Sequence, residues 1–185
     1  MTGLIRWPAT AGQYVFSIQA NDGHGGIATQ TSTLNVVRAE TALFAEDGVA
    51  GQRMSFSELD DGFRRLQTSD LASLVDEVLG RLETGGIDQA RIAAVRNTSV
   101  RIVDLPDAAL GSTDGDSILI DMDAAGYGWY VDSTPSSDIP AGPMDLVTVL
   151  AHEFGHRIGL THEDAEQDRF AFMGETLQAG VRKFV

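Results

Sequence analysis

The sequence predicts a protein of the mixed α/β (α+β) class, in which a β-hairpin precedes a domain of helices and strands around one core. Three observations predict it. Apolar and polar residues alternate through residues 12–20, apolar residues recur at spacings of three and four from Leu71 to Leu82, and the run from Met144 to Leu160 is helical in period. A length of 185 residues accommodates one such domain and a fragment of another.

The hairpin comes first. Tyr14, Phe16 and Ile18 recur with the period of two that a strand requires, and Asn21-Asp22-Gly23-His24-Gly25-Gly26 supplies turn residues. A second strand is expected from about Ile27 to Val37. Residues 39–56 hold mixed charges and glycines without a sustained period, and read as a linker. The main domain is expected over 57–185. Within it Leu71, Leu74, Val75, Val78, Leu79 and Leu82 form one face of an amphipathic helix, capped by Ser69 or Asp70 and ended by Gly85-Gly86. A shorter helix is expected near Asp88 to Val95 and a strand from Val100 to Leu105. A turn at Asp114-Gly115-Asp116 then leads into the apolar run Ile118-Leu119-Ile120. The loop from Asp121 to Pro135 combines glycines with Tyr127, Trp129 and Tyr130, and its Asp121, Asp123 and Asp132 are candidate Ca2+ ligands.

Composition narrows the function. The net charge is −14, with a sequence pI near 4.4 and no concentrated run of Lys or Arg, so nucleic acids and anionic membranes are poor partners. No stretch approaches the roughly 18 apolar residues of a membrane-spanning helix. Cysteine is absent, so a metal site must be built from His, Asp or Glu.

His152 and His156 stand four residues apart in the helical run, and residues at that spacing share a helix face, so both imidazoles can meet one ion. Glu153 lies roughly 100° further round, placed to reach a water on that ion without ligating it. Gly159 can take positive φ and turn the chain out of the helix, and His162 returns as a third ligand. Three nitrogens leave a fourth tetrahedral position open, which separates a catalytic Zn2+ site from a closed structural one. Such a set at these spacings arises by chance on the order of once in 10⁵ chains of this composition, and three of the four histidines are in it.

His-Glu-Phe-Gly-His-Arg-Ile-Gly-Leu-Thr-His, residues 152–162, resembles the extended zinc-binding motif of the metzincin metallopeptidases. The resemblance implies that Met173 forms the methionine turn beneath the metal. No tyrosine follows it, so the added tyrosine ligand of some branches has no counterpart. The runs ILIDMDAAGYGWYVDSTP, HEFGHRIGL and ETLQAGVRKF are similar to matrixin-like domains of large bacterial surface proteins, over about residues 60–185. Residues 3–37 resemble the closing strands of the immunoglobulin-like or cadherin-like repeats in such proteins, so 1–38 reads as the end of one repeat. These resemblances imply a metzincin-like zincin fold, with a twisted mixed sheet, a backing helix and an active-site helix. They also imply an extracellular or cell-surface location within a longer multi-repeat protein, a peptide or protein substrate, and Ile118, Leu119 and Ile120 as the edge strand beside which that substrate lies. The expected activity is zinc-dependent endopeptidase, with Glu153 as general base. The rival readings are a non-catalytic, metal-stabilised adhesion or structural module, and a calcium-stabilised binding module.

Overall fold

The computed structural model describes residues 12–21, 23–36, 42–46, 66–134 and 138–184. The hairpin forms as its alternation requires: β1 (Gly12–Asn21) pairs antiparallel with β2 (Ile27–Val36), from Gly12 opposite Val36 to Asn21 opposite Ile27. The Asn21 side chain accepts a hydrogen bond from the Gly23 N–H at 2.8 Å, and Gly23 and Gly25 take positive φ. Val15, Phe16, Ile18 and Ile27 of this ribbon are exposed.

A mixed five-stranded sheet organises the rest, in the order β4-β6-β5-β3-β9. Its strands are β3 (Ala42–Ala45), β4 (Ser99–Val103), β5 (Ala109–Asp114), β6 (Ser117–Asp121) and β9 (Thr176–Leu177). β4 runs parallel to β6, β6 antiparallel to β5, β5 antiparallel to β3, and β3 parallel to β9. A separate short parallel pair joins β7 (Trp129–Tyr130) to β8 (Met144–Asp145). The period of two sorts side chains between the sheet faces: Leu43, Ile118 and Ile120 enter the main core, while Phe44 and Leu119 pack with Leu105 and Ala109 on the other side.

The helices cover the main-core face. α1 (Thr68–Thr84) buries Leu71, Leu74, Val78, Leu79 and Leu82. It begins slightly earlier than its apolar stripe suggests, because Asp70 reaches back to accept the Gln67 N–H at 2.9 Å. α2 (Gln89–Val95) is capped by Asp88, whose side chain accepts from the Ala90 N–H at 2.9 Å. α3 (Leu146–Arg157) is buried from Leu146 through Gly155. No helix among the described residues is long and apolar enough to cross a membrane.

Two expectations need correction. Ala42–Ala45 falls inside the stretch read as linker 39–56, yet it is a strand with Ala42, Leu43 and Ala45 buried. A strand buried on both faces carries no alternation, and four residues are too few to reveal a period. Apart from Glu46, the rest of that stretch and the expected domain start at Ser57 lie outside the described residues. Ile118–Ile120, expected at the sheet edge, is interior, with β4 on one side and β5 on the other. Its continuous apolar character reflects burial on both faces rather than an exposed edge.

Candidate metal centre

α3 carries the site, and a buried ion pair fixes its first turn. Asp145, the N-cap, accepts from the Thr148 N–H at 3.0 Å and from the Thr148 hydroxyl at 2.6 Å. Arg182 grips the same carboxylate with two nitrogens, at 2.7 and 3.1 Å, and both side chains are fully buried. The Arg182 guanidinium also donates to the carbonyls of Asp132 and Thr134, each at 2.7 Å. The chain leaves α3 through Gly159, at φ +89°, and the Leu160 N–H closes on the Gly155 carbonyl at 2.9 Å. The short 3₁₀ segment His162–Glu166 follows, braced by Asp164 accepting the Thr161 N–H at 2.8 Å.

This path brings His152, His156 and His162 together. One nitrogen of each lies within 4.8 Å of the others, an arrangement that could hold a metal ion. Nε2 of His152 is 2.9 Å from Nε2 of His156 and 3.3 Å from Nε2 of His162. The outward nitrogens have their own partners: His152 Nδ1 is 2.9 Å from the Phe172 carbonyl, and His156 Nδ1 is 3.1 Å from the Leu160 carbonyl. A carbonyl only accepts, so both Nδ1 atoms carry the proton and both Nε2 atoms present lone pairs to the centre. Burial, reinforced by the neighbouring His156, pushes the His152 pKa down to about 3, and burial also lowers that of His156. Both imidazoles are therefore neutral near pH 7, the form that binds a metal.

Met173 is fully buried beneath this helix. A Cβ at Gly155 would stand 2.3 Å from the Met173 sulfur, so only glycine leaves the thioether its place. Glu153 is completely buried, and its Oε2 accepts the Thr113 hydroxyl at 2.9 Å. The Leu43 N–H faces the same carboxylate, although Oε1 has no full hydrogen-bond partner. Burial raises the Glu153 pKa well above the ordinary carboxylate range, outweighing the lowering pull of the Thr113 hydroxyl and the Leu43 N–H. Gly111 of β5 makes room for this side chain, since a Cβ there would sit 2.8 Å from Oε1. Beside the histidines opens a pocket of about 600 Å³, lined in part by Thr113, His156, His162 and Glu175.

The aspartates considered for Ca2+ are not gathered into a comparable group among the described residues. Asp121 is buried and accepts the N–H groups of Leu105, Ala125 and Asp123 at 2.8, 2.8 and 3.2 Å. Asp123 accepts from the Gly126 N–H, and Asp132 from the Tyr130 hydroxyl. They brace the loop, whose Trp129 indole donates to the Asp121 carbonyl at 2.8 Å. Thr113, Gly111 and Leu43 reach Glu153 from strands remote in sequence and carried no local signal. Asp145 lies within the run read as helical from Met144, and the structure starts the helix one residue after it, at Leu146.

Comparison with protein-family models, curated proteins and solved structures finds no match to this chain.

Proposed function

We propose that the chain is a zinc-dependent endopeptidase of the metzincin type, with His152, His156 and His162 as metal ligands and Glu153 as general base. The convergence of the three Nε2 atoms carries this reading. Zinc–nitrogen bonds of about 2.0–2.1 Å at tetrahedral angles separate the nitrogens by about 3.3 Å, close to the 2.9 and 3.3 Å found. Lone pairs held that near one another repel unless a cation lies between them. The donor set is nitrogen only, which suits zinc and does not suit calcium.

When bound, zinc would acidify a water and polarise a peptide carbonyl. The chain's own residues do the rest. Phe172 and Leu160 orient the imidazoles of His152 and His156 through their carbonyls, Met173 packs against Gly155 of their helix, and the Thr113 hydroxyl fixes the carboxylate of Glu153. In its ionised form Glu153 takes a proton from the attacking water and then delivers it to the leaving nitrogen.

Glu153→Ala is expected to bind zinc as the wild type does while losing at least about 10²-fold in casein hydrolysis. His156→Ala is expected to lose both metal and turnover. Elemental analysis and a casein assay on the purified chains measure this, and undiminished hydrolysis by a zinc-loaded Glu153→Ala chain would refute the assignment. A stoichiometric zinc that supports no hydrolysis would instead favour the metal-stabilised module.

A further inference from the structure

Main-chain carbonyls stand behind two of the three imidazoles, Phe172 behind His152 and Leu160 behind His156. Behind the third stands a carboxylate. His162 turns Nε2 toward Nε2 of His152 at 3.3 Å, and its Nδ1 faces Oε1 of Glu175 at 3.7 Å. Strand pairing brings Glu175 there: its carbonyl accepts the Phe44 N–H at 3.1 Å where β9 meets β3, and Lys183 secures the next residue by donating to the Thr176 carbonyl at 2.9 Å. The Glu175 side chain is 76% exposed, whereas that of His162 is 14% exposed. Residues 172–175 thus meet the site at three points, Phe172 at His152, Met173 against Gly155 of α3, and Glu175 at His162.

A metal-binding ring needs its lone pair aimed at the centre, and which nitrogen of a neutral imidazole keeps the proton is set by the partner of the other. We propose that Glu175 is the positioning residue of the third ligand, its carboxylate holding the His162 ring with Nδ1 protonated and the Nε2 lone pair directed at His152 and His156. This rests on the metal-site reading and adds to it the outer partner of His162. A carboxylate only accepts, so the proton it draws to Nδ1 is removed from Nε2. The spacing is about 0.5 Å beyond hydrogen-bond length, a gap that the exposed Glu175 side chain closes by rotation, without moving its backbone. A carboxylate behind a metal-bound imidazole also raises its basicity, and loss of such a partner weakens metal binding by about 10- to 100-fold. Glu163 provides the internal control. It is the same residue type and lines the same pocket, yet among the described residues the carboxylate in an ion pair with His162 is that of Glu175.

The test compares full-length Glu175→Ala and Glu163→Ala chains with the wild type, by zinc competition against a chromophoric chelator at fixed pH and ionic strength. Glu175→Ala should bind zinc at least about 10-fold more weakly, and Glu163→Ala less than about threefold more weakly, the effect of one exposed charge alone. Both side chains are exposed, so the metal-free chains should melt together and the loss should lie in binding. A second readout needs neither metal nor turnover. Nitrogen-15 NMR of the neutral His162 ring in the metal-free wild type should find the proton on Nδ1, and in Glu175→Ala a share of it should move to Nε2. A wild type that takes up no zinc would overturn the metal site and this inference with it. Zinc bound equally by wild type and Glu175→Ala, an equal loss in Glu163→Ala, or a wild-type His162 proton on Nε2 would overturn this inference alone.

Discussion

Asp121 illustrates how a single buried carboxylate serves a loop. Burial raises its pKa to about 6, outweighing the N–H donors of Ala125, Leu105 and Asp123 that pull it down. The unfolded value is about 3.9, so the folded protein holds this proton more tightly than the unfolded chain does. The stability that this group contributes is therefore greatest below pH 4 and falls as pH rises through 6. A difference of about two pKa units corresponds to about 3 kcal/mol. Asp121→Asn removes the titration, so the stability advantage of the wild type over the variant is expected to shrink by up to that amount between pH 4 and pH 7. Urea unfolding of both chains across that range measures it, and a constant difference would exclude the effect. At this scale, what the sequence revealed depended on local spacing. His152, His156 and His162 stand at intervals that a helix and one glycine turn into proximity. Thr113, Gly111 and Leu43 reach Glu153 only through strand pairing, and no local pattern encodes which strands pair.

Among the elements, α1 and α3 were legible because long amphipathic or apolar helical runs repeat their signal over several turns. β3, β5 and β9 were not. β5 reads Ala-Leu-Gly-Ser-Thr-Asp, with polar residues and a glycine where a strand signal would need apolar ones. Its Gly111 and Thr113 are there for Glu153 rather than for the sheet. β9 spans only Thr176–Leu177, and two residues display no period. The cap of α3 depends on Arg182, which is distant in sequence and fully buried against Asp145. Arg182→Met would leave Asp145 as an uncompensated buried charge, with an expected loss of about 3–5 kcal/mol. Denaturant titration at pH 7 reads this directly. Arg182→Met paired with Asp145→Asn should recover part of the loss, because no unpaired charge then remains. If the single variant is as stable as wild type, the ion pair does not hold the helix.

For the molecule as a whole, the mixed α/β class followed from the order of elements, while the sheet's connectivity did not. Ligand binding to the folded state alone couples the histidine cluster to overall stability. Zinc at about 100 times its dissociation constant adds about 2.7 kcal/mol, or a rise in Tm of about 5–10 °C for a domain of this size. Thermal melts with zinc and with excess chelator should differ by that amount, and His162→Ala should abolish the difference. Identical melts would argue against a metal site at these histidines.

Trp129 offers a consequence of a different kind. Its ring is wholly out of water, and its N–H is satisfied by the Asp121 carbonyl. A buried indole emits at shorter wavelength than a hydrated one, so opening of the loop against the core turns into a red shift visible without any label. The other tryptophan, Trp7, lies outside the described residues, and Trp7→Phe would leave Trp129 as the sole emitter, an optical gauge built into the core that it shares with α3.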